Sequence, residues 1–266
     1  MTTIIRAAGL WALAFPILVA ADFEVEPAKL CTADAEPLDP GSIEIAVTVT
    51  GAQATRTYDA DGIAQDRGGR LRQGSIAVGL TAGLVDGLDA GVTAGLVRVV
   101  DRAGDPCHGL GCSDVGLAAK WQCWHSDAIG LSLAVLPSLT IPTGRHADAD
   151  RIATASDHAV AGGMVAATWI LDRCVVCVDA GYGQHLTDDA ADPRATWNVD
   201  AALGVQVTEW LQIEADAGHV RNRNRDGAPD DHLWTCTCGV QVGLDIGRCS
   251  IGIQQAVAGH DADRTT

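Results

Sequence analysis

The chain has 266 residues and a formal net charge of −16, with 34 Asp and Glu against 18 Lys and Arg. Such a surface repels phosphate backbones and excludes nucleic acid as a partner. Thirty Gly, two Phe and two Tyr, with only Lys29 and Lys120 as lysines, point to tightly turned β-structure rather than helix.

Met1 to Arg6 carries one positive charge, and Ala7 to Ala20 is almost continuously apolar before the small residues Val19-Ala20-Ala21. That layout reads as a secretory signal peptide over residues 1–21, cut before Asp22. The apolar run falls short of the about 20 residues a helical span needs. Cys31 lies well beyond it, outside a lipoprotein-type setting. Residues 22–40 are acidic, contain proline and lack a period, and are expected to form an extended periplasmic N-terminal segment. No later apolar run reaches helix-spanning length. The mature chain is then either soluble in the periplasm or crosses the membrane as a closed barrel, since lipid cannot satisfy open backbone groups.

From Ser42 the pattern changes to alternation. Ile43, Ile45, Val47 and Val49 share one parity, and Glu44, Ala46, Thr48 and Thr50 the other. A period of two is a strand with one apolar and one polar face. The same pattern recurs over Asp114 to Trp124, where Trp121 and Cys123 oppose Lys120 and Gln122. It recurs again over Trp197 to Thr208 and from Leu211 onward. Strands are expected near 42–56, 72–84, 88–100, 113–124, 129–141, 159–171, 174–186, 196–207, 210–220, 232–243 and 248–258. Short connections at Asp86-Gly87, His125 to Ala128, Asp172-Arg173, Thr208-Glu209 and Asp245 to Gly247 alternate with long polar ones. Short turns on one side, long loops on the other and strands of about ten residues are the pattern of an outer-membrane barrel.

The fold expected is thus all-β: an antiparallel transmembrane β-barrel over 41–266, about 12 strands, of which 11 are recognisable. An even count is the rule for bacterial barrels, and after Ala258 too little chain remains for a closing strand. A soluble β-sandwich is the rival, because its strands alternate too. The alternation of loop lengths and the charges in mid-strand favour the barrel. Trp121, Trp124, Trp169, Tyr182, Trp197, Trp210 and Trp234 are candidates for the two interfacial girdles.

The polar parity supplies the candidate lumen residues: Glu44, Asp114, Lys120, Gln122, Asp179, Asp200, Gln206, Glu214 and Asp216. Together they predict an acidic lumen that admits cations or neutral solutes. Cys107 and Cys112 bracket one loop and are a candidate disulfide in an oxidising compartment. Cys174 and Cys177 have redox-pair spacing, but on a strand they point to opposite faces. Cys123, Cys236 and Cys238 read as small apolar residues on a lipid face. Asn222, Asn224, Asp226 and Asp230 follow the oxygen spacing of a calcium loop, although Arg223 and Arg225 intervene and lower its negative charge, and a solvated, Asx-rich surface loop is the plainer reading. No other cofactor is implied. The eight His are scattered, with no metalloprotease spacing. Ser138 lacks a nucleophile-elbow setting, and a barrel-embedded lipase would need a Ser–His pair meeting across strands. No catalysis is expected.

Several segments resemble the outer-membrane transporters associated with the meta-pathway of phenol degradation. Pro40-Gly41-Ser42-Ile43-Glu44 is similar to that family's opening to its first strand. Gly79-Leu80-Thr81 with Asp86-Gly87-Leu88-Asp89-Ala90-Gly91-Val92 is similar to its second strand, turn and third strand. Gly111-Cys112-Ser113-Asp114 through Lys120-Trp121, and Leu136-Pro137-Ser138-Leu139-Thr140-Ile141-Pro142-Thr143-Gly144, complete the series. The resemblance covers residues 37 to 258. It implies a barrel of roughly twelve strands that carries small, often apolar or aromatic molecules passively across the outer membrane. It supplies no catalytic residue. Scarce Phe and Tyr, frequent Cys and the lack of a final aromatic strand depart from the family pattern. The partners expected are outer-membrane lipids, a small-molecule solute and the barrel assembly machinery. A non-transporting interaction barrel and a soluble binding protein are the alternatives.

Overall fold

The computed structural model describes residues 33–59, 61–102, 107–144, 154, 158–187, 193–224, 230–244 and 247–260. The strands are β1 (Ile43–Tyr58), β2 (Ala64–Val85), β3 (Leu88–Asp101), β4 (Cys107–Cys112), β5 (Val115–Ser126) and β6 (Leu131–Ile141). Then follow β7 (Ala159–Leu171), β8 (Cys174–Leu186), β9 (Ala195–Thr208), β10 (Leu211–Arg223), β11 (Asp231–Leu244) and β12 (Gly247–His260). All belong to one antiparallel sheet whose strands pair in chain order, with β4 standing off that path on the end of β3. One continuous meander has no second layer to pack on, so the sandwich is overturned.

The twelfth strand is therefore not a closing one. β4 pairs Leu96 to Asp101 of β3, and β5 pairs Leu88 to Thr93 of the same strand. β4 and β5 are two lengths of one stave, broken at Ser113-Asp114, and the sheet has eleven staves. With an odd number, β1 and β12 run in the same direction. Those two edges come together: a Cβ on Gly62, beyond the end of β1, would stand 3.1 Å from the carbonyl oxygen of Gly259 in β12. No ladder joins them among the described residues.

Alternation became the two faces of this wall, but inside out relative to a soluble protein. Of the nine largest fully enclosed side chains, seven are polar: Gln212, Gln241, Glu214, Thr168, Asp179, Ser132 and Ser250. The exposed ones include Ile45, Leu80, Leu203, Ile213 and Ile253. Exposed apolar area on that scale is costly in water and stable only against lipid. The seven girdle candidates all lie exposed. Trp121, Trp124, Trp169 and Trp210 ring the short-turn end, whereas Tyr182, Trp197 and Trp234 stand toward the long-loop end of their strands. Trp169 is fixed there by donating its indole N–H to the Ile129 carbonyl at 2.8 Å.

The short turns form where the residues tolerate left-handed backbone. Gly87 has φ +77° and Asp172 +50°, as tight two-residue hairpins require. The connection expected over Thr57 to Arg70 is instead largely strand, because β1 and β2 stay paired to Tyr58 and Ala64. Asp59 caps that hairpin by accepting bonds from the amides of Asp61 and Ile63. Beyond the membrane both faces meet water, so pairing continues after alternation has lapsed.

Candidate functional site

The lumen is built by the inward parity of each stave and by a segment from outside the wall. Residues 33–39 do not run free in the periplasm. They form a strap across the inner wall from β8 to β2. At its start the Ala33 amide donates to Asp179 of β8 at 2.8 Å. Next, the Ala35 amide donates to the Thr168 hydroxyl of β7 at 2.9 Å, and Ala35 packs on Ala134 and Ala166. Lys120 of β5 then donates to Asp34 at 2.6 Å and to the Glu36 carbonyl at 2.7 Å. Gln122 reaches the same stretch. The Leu38 amide ends on Asp89 of β3 at 3.1 Å. The strap leaves past Gly83 of β2, whose amide donates to the Ser42 carbonyl at 3.0 Å. A Cβ on Gly83 would collide with the Asp39 carbonyl, so only glycine lets the strap pass so close. An aperiodic acidic segment settles here because strand side chains and Lys120 satisfy its amides and carboxylates, which lipid cannot.

Over this strap lies a cavity of about 430 Å³. Glu44, Asp89 and Lys120 give it charge, Thr93, Ser138 and Thr140 give hydroxyls, and Leu38 and Leu136 give apolar wall. It occupies the half of the lumen bounded by β1 to β6. The opposite half is filled. Gln206, Gln212, Gln241 and Ser250 stand in one cross-strand row through β9, β10, β11 and β12. Gln212 donates to Glu214 at 3.0 Å, and Gln241 lies 3.4 Å from the Ser250 hydroxyl. Arg248 is also buried on this side. Between the halves, Asn198 donates to both Asp179 and Asp200 at 3.2 and 3.1 Å. Gly218, opposite Asp200, has no room for a Cβ beside that carboxylate.

Eight of the nine lumen candidates point inward. Glu44, Lys120 and Gln122 meet the cavity or the strap. Asp179, Asp200, Glu214 and Asp216 form the acidic wall, and Gln206 lies near the short-turn rim beside Arg173. Asp114 departs: it stands at the break between β4 and β5, at the long-loop rim, where its carboxylate faces the Thr143 amide at 3.3 Å. Alternation missed Asp34 and Glu36, which reach the lumen from another segment, and it missed Gln241 and Arg248.

The candidate disulfide is contradicted. Cys107 and Cys112 end the same extended six-residue strand, which sets them roughly 16 Å apart, far beyond disulfide reach, and the Cys112 thiol is free. Three of the four residues with calcium-loop spacing are described. Asn222 faces inward and accepts from the Thr196 hydroxyl at 2.9 Å. Asp230 binds Arg221 on the outer side at 2.7 Å and also accepts from the Asn224 amide. Asp226 lies outside the described residues. Cys177 is buried while Cys236, Cys238 and Cys123 are exposed on the apolar face.

A serine and a histidine do meet across strands. His125 contacts the Ser132 hydroxyl at 2.7 Å and Asp127 at 2.8 Å. The Ser132 side chain is fully enclosed, so its hydroxyl offers no approach to a carbonyl carbon, which a nucleophile must have. The contact fastens the β5–β6 turn.

An antiparallel wall that is apolar outside and polar inside, with a chain segment lodged in its lumen, defines a β-barrel of the outer-membrane type. The chain belongs to the family described as "Putative MetA-pathway of phenol degradation", whose model matches residues 39–247. Its fold is similar to the COG4313 outer membrane channel from Pseudomonas putida F1, at 14% identity and TM-score 0.70, covering 88% of this chain and 100% of that one. A more distant similarity is to the Pseudomonas putida toluene transporter TodX, at 10% identity and TM-score 0.38, covering 97% and 90%. No curated protein matches the chain by sequence.

Proposed function

We propose that the chain is an outer-membrane channel that passes small neutral or cationic solutes through the open half of its lumen. The observation that carries this reading is the cavity of about 430 Å³ held over the strap, within the range of small-molecule sites. Acids outnumber Lys120 around it, so anions are disfavoured. Hydroxyls beside Leu38 and Leu136 suit a compact solute with one polar group on an apolar body. Hydroxylated aromatic compounds belong to that class, in keeping with the phenol-degradation description of the family. The signal peptide expected at 1–21 and the assembly machinery would deliver the chain to the outer membrane.

The test is the mature chain refolded into a planar bilayer under a potassium chloride gradient. A reversal potential of the cation-selective sign is expected, and chloride passing more readily than potassium would refute the acidic-lumen reading. Swelling of liposomes in neutral solutes of graded size then measures the opening. A second reading, a closed interaction barrel, is favoured by the strap and the filled half. Silence in both assays, from protein that shifts on a gel when heated, would select it.

A further inference from the structure

The outer face carries a feature that solute passage does not use. At the long-loop end of β9 to β11, outward residues are not purely apolar. Arg221 pairs across strands with Trp197 on one side and His232 on the other. Below it, His219 stacks on Trp234 with ring centroids 4.2 Å apart, and Trp197 packs on Tyr182 at 4.6 Å. Arg221, Arg223, Trp197, Val199 and His219 with Asp230 line an outward groove of about 450 Å³.

The head of this groove is cationic in a chain of net charge −16. Asp230 binds Nε and Nη2 of Arg221 at 3.1 and 2.7 Å. That fixes the guanidinium while the side chain stays 57% exposed. Arg223 is exposed and makes no side-chain bond among the described residues. Two Arg against one Asp leave a net positive charge even with the His neutral.

The foot of the groove is shaped differently. One cross-strand row of outward side chains is Ala201, Ala217 and Cys236, and the next is Leu203, Ala215 and Cys238. Larger residues resume with Val205, Ile213 and Val240. A shallow trough over Ala201, Ala217, Cys236, Ala215 and Cys238, flanked by Leu203, therefore runs from the arginine head into the apolar belt. A bare aromatic girdle needs neither the arginines nor the trough. Guanidinium is the cation whose fork fits phosphate oxygens, and long loops mark the outer leaflet side of a barrel.

We propose that this groove is a binding site for a phosphorylated lipid of the outer leaflet. The headgroup phosphate sits on Arg221 and Arg223, and one acyl chain lies along Ala217, Ala201 and Cys236. The site is on the face opposite Asp200 and Asn222, so it holds a resident lipid and not the transported solute. The inference rests on the outer-membrane placement proposed above, but not on conductance, which is measured separately.

The test uses the mature chain refolded in detergent micelles, titrated with diphosphoryl lipid A. Retention is followed by native mass spectrometry, and the temperature of the gel shift is followed in parallel. Lipid retention and a rise in that temperature are expected. R221Q/R223Q should lose about tenfold in affinity, and A217W, which fills the trough but keeps both arginines, should lose a smaller part. Lipid A stripped of phosphate should bind weakly, and millimolar inorganic phosphate should neither stabilise the protein nor compete. Equal retention by R221Q/R223Q overturns the site. Equal binding of the stripped lipid reduces it to an aromatic girdle, and full competition by inorganic phosphate reduces it to a simple anion site. Should the double variant fail to refold, A217W and the lipid series on the unaltered chain still decide. A chain that never gives a heat-dependent gel shift fails the barrel placement itself, a result separate from loss of the lipid.

Discussion

The two halves of the lumen are narrowed by different means. In β9 to β12 the filling comes from the wall: Gln212, Glu214, Gln241 and Ser250 are enclosed side chains of the strands themselves. In β1 to β8 the obstruction comes from residues 33–39, held by bonds to Asp179, Thr168, Lys120 and Asp89. Side chains rooted in a barrel wall cannot leave without unfolding it. A strap held by a handful of bonds can be removed while every ladder stays intact. The filled half is thus structural, and under the proposed function the open half is where permeability would be set.

Deleting residues 33–38 should have the largest effect. Conductance in planar bilayers is expected to rise several-fold, with the heat-dependent gel shift preserved. If conductance did not change, the strap would not be the constriction and the distinction between the halves would collapse. Glu214→Ala probes the other half. It removes a buried carboxyl group that receives the Gln212 amide, and should cost about 1–3 kcal/mol in urea unfolding with little change in conductance. A large conductance gain there would show that the fill, too, sets permeability. Lys120→Gln sharpens the comparison within the open half. It takes the cation from Asp34 and Glu36, so the potassium-over-chloride permeability ratio should rise about twofold, and a fall would contradict the charge assignment. Glu44→Gln should act least, lowering that ratio slightly with stability unchanged within about 0.5 kcal/mol.

Period-two alternation showed which face of each stave meets lipid and which meets the lumen, since lipid leaves no other option for Ile213 beside Glu214. It put Glu44, Lys120, Asp179 and Asp216 on the parity that the sheet turns inward. It was blind wherever that constraint lapses. The outer part of the β1–β2 hairpin sits in water on both faces and carries no period, so it read as loop. The strap has no period because its backbone is bonded by side chains and not by a neighbouring strand. One trace of it was present: Lys120 is the only lysine beyond residue 29 and lies on the inward parity, which calls for an acidic partner such as Asp34 supplies. The fill of β9 to β12 depends on cross-strand register. The bulge between Leu211 and Gln212 sets Gln212 opposite Gln206, and strand-by-strand reading contains no sign of it. Cys107 and Cys112 failed as a pair because β4 extends what spacing alone suggested was a bend.

The strap also bears on the mechanics of the wall. A sheet whose β1 and β12 edges meet with no ladder among the described residues behaves like a bent bow, free to spring flatter unless something spans the arc. Residues 33–39 are that bowstring: anchored at β8, fastened at β7, β5 and β3, and tied off at Gly83 of β2. Flattening the arc would stretch those bonds, so tension along seven residues helps to hold the curvature that eleven staves cannot lock by themselves.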